Sequence, residues 1–263
     1  MEKSSQEHGS TQVLMKVSNM MDKTSLIVGA SSDIGKAVLM TLDGLGNRFI
    51  AHGCHNVSAL ENMRLSLQGD LHILSANLSD PNSCEAFITE AMTLCHSPDN
   101  LVFAQAQKLK LTRFKKLSRQ QILEQLEVQM MSSMMIAKAF LPNMVKRGKA
   151  RIVFVLSSVT LGIPPAAMAD YNIAKYAQLG LMRSLAAEFG TKGVRINAVS
   201  PSMVDTHFLQ DIPDNMIIQN AAAHPMKRNA SSEEVASTAA FLLSDGAEYI
   251  NGVNLSVTGG TCV

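Results

Sequence analysis

Several absences narrow what this chain can do. Its four cysteines, Cys54, Cys84, Cys95 and Cys262, contain no CxxC pair. Neither a zinc site nor a disulfide framework is therefore expected, and a reducing cytoplasm is the simplest setting. No apolar run approaches the ~20 residues needed to span a bilayer. The opening segment, MEKSSQEHGSTQVLMKVSNMMDK, lacks the continuous apolar stretch of a secretory leader. The formal net charge is +1, too small an excess to draw nucleic acid or a membrane surface. There is no internal repeat, low-complexity linker or break in composition. Residues 1–22 read as a flexible extension, with Met15, Met20 and Met21 as further possible starts, and residues 23–263 read as one domain.

The 263 residues are 46% hydrophobic and 17% charged, which suits one well-buried core. Short runs that are apolar throughout alternate with helix-like segments. SLIVGA (25–30), RFIAHG (48–53), LHILSANL (71–78), NLVFAQ (100–105), RIVFVLSS (151–158), RINAVSP (195–201) and GVNLSVTG (252–259) predict strands. Helices are predicted from residue 33, over 57–67 and 81–95, over a Met-rich stretch at 119–145, and over 170–189 and 232–244. Strands without polar alternation, separated by helices, predict a doubly wound parallel sheet, a Rossmann-like α/β fold covered on both faces. Ligands of such sheets bind beyond the carboxyl ends of the strands, which directs attention to Gly29, His55, Asn77, Ala104, Ser158 and Pro201.

Gly29-Ala30-Ser31-Ser32-Asp33-Ile34-Gly35 follows the first strand and opens a helix. Gly29 suits a tight turn, Gly35 allows close helix–strand packing, and the N–H groups at the helix start can face an anion. Asp33 is unexpected in such a turn. Near a helix N-terminus its carboxylate complements the dipole and can cap free N–H groups, with its side chain toward solvent. Downstream, Tyr171 and Lys175 stand four apart and so share a helix face. Ser158 closes a strand thirteen residues before Tyr171. A hydroxyl, a phenol and an ammonium could thus meet at one sheet edge. A neighbouring ammonium favours phenolate and lowers a phenol's pKa from ~10 toward useful acid–base chemistry.

These residues resemble the classical short-chain dehydrogenase/reductase family, in particular its 3-oxoacyl-[acyl-carrier-protein] reductase-like members. The resemblance extends over residues 23–261 and includes INAVSPSMVDT (196–206) and EYINGVNLSVTGG (248–260). It implies catalytic roles for Ser158, Tyr171 and Lys175, with Gln129 in place of the family's asparagine, where its amide could hold a water for proton relay. It implies cofactor contacts from Gly29, Ser31, Ser32, Asp33, Ile34 and Gly35 in the turn. Asn77 and Leu78 would follow after the third strand, Ala104 after the fourth, and Pro201, Ser202, Val204 and Thr206 after the sixth, with Thr206 on the nicotinamide carboxamide. The chain departs from the family pattern at Val28, Asp33, Phe103-Ala104-Gln105-Ala106, Asn77 and Ser202. The catalytic three remain while the scaffold motifs drift, which suggests an active, divergent member.

Members that prefer NAD carry an acid at the end of the second strand. Here that end reads His52-Gly53-Cys54-His55-Asn56, so NADP(H) is favoured over NAD(H). His55, Asn56 and Ser32 are candidate partners of a 2′-phosphate, the histidines otherwise being solvated loop residues. The segment after Thr206, HFLQDIPDNMIIQNAAAHP, is rich in apolar residues and either covers an acyl-type carbonyl substrate or packs on the body. Lys108, Lys110, Arg113, Lys115 and Lys116 form either a solvated basic loop or a surface for an acidic acyl carrier protein. Met130, Met131, Met134 and Met135 suit core or a subunit interface, and the resemblance implies a homodimer or homotetramer. The function expected first is reduction of a 3-oxoacyl thioester, free or carrier-bound. The alternatives are a dehydrogenase of a sugar, a nucleotide-linked sugar or another secondary alcohol, and a non-catalytic cofactor-binding regulator or scaffold.

Overall fold

The computed structural model describes residues 22–44, 46–54 and 57–261. His55, Asn56, Cys262 and all of the 1–22 extension except Asp22 lie outside the described residues. The strands are β1 (Thr24–Val28), β2 (Arg48–Gly53), β3 (Asp70–Ser75), β4 (Asn100–Phe103), β5 (Ala150–Val155), β6 (Val194–Pro201) and β7 (Asn254–Val257). They form one sheet in the order β3-β2-β1-β4-β5-β6-β7, and every pairing is parallel. All six residues of β5, ARIVFV, are buried, as a central parallel strand with helices on both faces requires.

The helices are α1 (Asp33–Thr41), α2 (Ser58–Arg64), α3 (Pro81–Leu94), α4 (Arg119–Leu126), α5 (Ser132–Arg147), α6 (Ala169–Phe189), α7 (Asp214–Ala223) and α8 (Ser232–Leu242). Phe87 of α3, Ile136 and Phe140 of α5, and Leu179 and Met182 of α6 pack on one sheet face with Phe103 and Phe154. Val38 of α1, Leu60 of α2 and Val235 of α8 pack on the other. Local chemistry sets several helix starts. Ser118 and Gln121 make a capping box for α4, and Ser231 and Glu234 make one for α8. Gly148, left-handed at φ 74°, ends α5. Among the described residues no helix is long and apolar enough to cross a membrane.

Two features differ from the sequence reading. The Met-rich stretch is not one α-helix: a π-helical turn, Glu127–Met131, lies between α4 and α5. The segment after Thr206 contains α7, whose start is set by Pro213 rather than by a polar cap. Between β1 and β4 the strand order reverses, and ligands of such sheets bind beyond the carboxyl ends of the strands at a switch point of this kind.

Candidate active site

The glycine turn stands at that switch point, directly after β1. Gly29 is left-handed, with φ +79°, and a Cβ there would lie 2.5 Å from the backbone nitrogen of Gln105 just past β4. Only glycine lets the two strand ends come so close. Ser32 caps α1: its Oγ accepts from the Gly35 N–H at 3.0 Å and donates to the Gly29 carbonyl at 2.8 Å. The Ser32 hydroxyl is thus engaged with the turn itself.

Asp33 does not point freely to solvent and is not the cap. It forms an ion pair with Lys36 at 2.9 Å and accepts from the backbone N–H of His207 at 2.7 Å, with the His207 ring 3.1 Å away. Partial burial pushes its carboxyl up, but these hydrogen bonds outweigh burial and the net direction is down. The carboxylate is thus paired locally, and it ties the glycine turn to the segment beyond Thr206.

Beneath the turn lies a residue that sequence reasoning missed. His52, on β2, is 2% exposed. Its Nδ1 accepts from the Gly29 N–H at 3.1 Å, so Nε2 carries the proton and donates to the Ala76 carbonyl at 3.0 Å. Burial pulls its pKa down to about 4, keeping the ring neutral. The available signal was a histidine inside an otherwise apolar strand buried on both faces.

The remaining residues expected to touch a cofactor lie at or just past the strand ends. Ser31 packs near Gly53, where a Cβ would lie 3.3 Å from its side chain, which brings the end of β2 beside the turn. Asn77 is exposed and closes an Asx turn by accepting from the Ser79 N–H at 3.1 Å, while Leu78 is buried. Ala104 is buried and donates its N–H to the Val28 carbonyl at 2.8 Å. Ile34 packs on the core and Pro201 ends β6. The Ser202 hydroxyl is buried without a hydrogen-bond partner. Val204 bridges to Ala230, and Thr206 Oγ1 donates to the Val204 carbonyl at 3.2 Å.

The residues expected to be catalytic lie beyond β5 and on α6. Tyr171 is 6% exposed, and burial pushes its phenol up to about 12, against a lowering hydrogen bond with the side chain of Ser157. Ser157 thus stands beside the phenol, and the expected Ser158 begins the adjoining 3₁₀ turn Ser158–Thr160. Lys175 Nζ lies 5.7 Å from the centre of the Tyr171 ring. It donates to the Val155 carbonyl at 2.8 Å and to Gln178 Oε1 at 3.1 Å, and burial draws its pKa down to about 7. The lowering of the tyrosine pKa expected from Lys175 is not met here, because desolvation dominates both groups.

The Gln129 side chain does not reach this pair. It is fully buried in the π turn and donates to Gln125 Oε1 at 2.6 Å, while Gln125 Nε2 donates to the Lys108 carbonyl at 3.2 Å. Its backbone carbonyl faces the site and accepts from Gln178 Nε2 at 2.8 Å. Over the phenol lies an apolar roof of Leu109, Val159, Leu209 and Ile212, with Phe208 6.0 Å from Tyr171 between ring centres. Met130, Met131, Met134 and Met135 are half-buried. Lys108, Lys110, Arg113, Lys115 and Lys116 lie at the surface, around an exposed Phe114.

This arrangement fits a dinucleotide. A glycine turn and a helix start lie at the switch point, the one acid in the turn is already paired, and β2 ends at Gly53, followed by Cys54, without a carboxylate. Comparisons with known proteins agree. Residues 28–262 match a family model described as enoyl-(acyl carrier protein) reductase. The chain is 31% identical to the 3-oxoacyl-[acyl-carrier-protein] reductase FabG of Salmonella typhimurium, over 90% of this chain and 96% of that one. It is also 31% identical to the oxidoreductase UcpA of the same organism, over 91% and 94%. A crystal structure of a 3-oxoacyl (acyl-carrier-protein) reductase from Agrobacterium tumefaciens with NADP bound superposes with a TM-score of 0.83 at 26% identity, over 92% of this chain and 95% of that one. The chain belongs to the short-chain dehydrogenase/reductase family and is an NAD(P)-dependent oxidoreductase.

Proposed function

We propose that the protein is an NADP(H)-dependent carbonyl reductase whose substrate is a 3-oxoacyl thioester. The carrying observation is the Tyr171 phenol, hydrogen-bonded to a serine and roofed by Leu109, Leu209, Ile212 and Phe208, one helical turn from Lys175. A nicotinamide cofactor, when bound, supplies or accepts the hydride. The turn Gly29–Gly35 would hold its pyrophosphate, Thr206 its carboxamide and Lys175 its ribose. The lack of an acid after β2 removes repulsion toward a 2′-phosphate and supports NADP(H).

A phenol held near 12 is protonated at neutral pH and is set to give its proton to the oxygen of a carbonyl being reduced. In the opposite direction the phenolate oxygen of Tyr171 takes that proton back from the substrate hydroxyl. Ser157, on the phenol, steadies the substrate oxygen, with Ser158 as the neighbouring alternative. The apolar roof excludes water and suits an acyl chain. The basic run from Lys108 to Lys116 supports docking of an acidic acyl carrier protein, and the half-buried methionines support pairing of subunits in a dimer or tetramer.

The test uses NADPH with acetoacetyl-coenzyme A. Tyr171→Phe is expected to reduce turnover by about a thousandfold, with NADPH affinity little changed by fluorescence titration. Near-full activity of that variant would defeat the reading. Ser157→Ala is expected to lose more activity than Ser158→Ala, and the reverse order would return the role to Ser158. A panel of sugars and secondary alcohols run alongside decides the substrate class.

A further inference from the structure

Among the described residues, Lys175 has no carboxylate partner. The Tyr171 ring faces it from its own helix, the Val155 carbonyl from β5, and the amide of Gln178 from the next turn of α6. Through that amide it also reaches the π turn. Burial is the cause of its lowered pKa, and Tyr171 is the titratable group beside it. Its two hydrogen-bond acceptors are neutral dipoles.

Gln178 is fully buried, and its orientation is dictated by its neighbours. An ammonium can only donate and a carbonyl can only accept. Oε1 must therefore face Lys175 Nζ, at 3.1 Å, and Nε2 must face the Gln129 carbonyl, at 2.8 Å. Ser133 closes the circuit: its hydroxyl donates to the same carbonyl at 2.6 Å and lies 3.3 Å from Gln178 Nε2. Gln105, reaching in from the end of β4, donates to Ser133 Oγ at 2.9 Å.

We propose that Gln178 is a positioning residue for the reaction: it clamps the Lys175 ammonium between β5 and the π turn and supplies the acceptor dipole that sustains its charge beneath Tyr171. Two of the three ammonium N–H groups are spent on Val155 and Gln178, which leaves one donor and fixes its direction. This rests on the catalytic reading of Tyr171 and Lys175, and adds to it the residue that governs when Lys175 is charged.

The experiment uses the full chain with two substitutions. Gln178→Met keeps length and volume without the acceptor, and Gln178→Glu puts a carboxylate in its place. Lys175 is titrated by NMR in protein labelled at lysine Cε, its signal assigned with Lys175→Met. The Lys175 midpoint is expected to fall by about one pH unit in Gln178→Met and to rise by about one unit in Gln178→Glu. The pH limb of kcat, measured with acetoacetyl-coenzyme A and NADPH, should move with it. A merely structural role cannot shift the midpoint in opposite directions. Unchanged midpoints in both variants overturn the assignment. If Gln178→Met does not fold, the Gln178→Glu midpoint decides alone, upward in support and unmoved against. Full activity in Tyr171→Phe would defeat the catalytic reading without touching the NMR result, so the two failures are distinguishable.

Discussion

The glycine turn is held from two sides, and the two grips differ in kind. From below, His52 is buried and neutral and uses both ring nitrogens on backbone groups. From above, Asp33 is charged and meets Lys36 and a His207 whose side chain is 90% exposed. In a dry site each hydrogen bond is hard to replace, because its loss leaves an unpaired buried group. In a wet site water stands ready to take over, and ion pairs contribute little. The underside therefore fixes the shape of the turn, while the upper contact sets how the turn meets the neighbouring segment.

The largest expected effect strikes the turn that both grips hold. Gly29→Val places a branched side chain at φ +79° and against the Gln105 backbone. It should cost about 3 kcal/mol or more in denaturant unfolding and abolish NADPH binding. A wild-type unfolding midpoint would show that β4 does not confine the turn.

The next effect comes from acid. His52 is neutral when folded, with a pKa of about 4, but titrates near 6.5 when unfolded. Between those values the unfolded chain binds the extra proton, so stability is fully present above 6.5 and declines as pH falls toward 4. The full loss is about 3 kcal/mol as an upper figure. Protonated Nδ1 would also face the Gly29 N–H, donor against donor, so cofactor affinity should fall in the same window. His52→Gln should flatten this slope in unfolding experiments between about pH 7 and about pH 4.5, and an unaltered slope would assign the acid sensitivity to other groups.

The smallest effect lies above. Asp33→Asn should change stability by less than about 1 kcal/mol. With the carboxylate gone, NADPH binding should be equal or tighter, and its salt dependence should change. A large destabilisation would mean that the upper grip matters as much as the lower.

Much of this was legible in the residues. β1, β4 and β5 declare themselves because a strand covered on both faces has no polar alternation to blur it. Tyr171 and Lys175 stand out through their spacing, and Gln178 shares it: positions 171, 175 and 178 fall on one helix face. That signal was present but unread, since glutamine is chemically bland until its partners are known. His52 was hidden by the same apolar strand that made β2 recognisable. Helix α7 was obscured by its mixture of apolar and polar residues and its proline start. The choice between Ser157 and Ser158 depends on side-chain direction, which spacing alone does not carry.

The π turn, finally, is a matter of phase. One surplus residue in a helix rotates the downstream segment by about 100° relative to an uninterrupted α-helix. Glu127–Met131 carries such a surplus, so α4 and α5 continue one another while presenting their faces out of step. The Gln129 carbonyl is thereby turned sideways, toward Gln178 and the Ser133 hydroxyl. A single inserted position, invisible in composition and costly to the helix, thus decides which way the floor of the site faces.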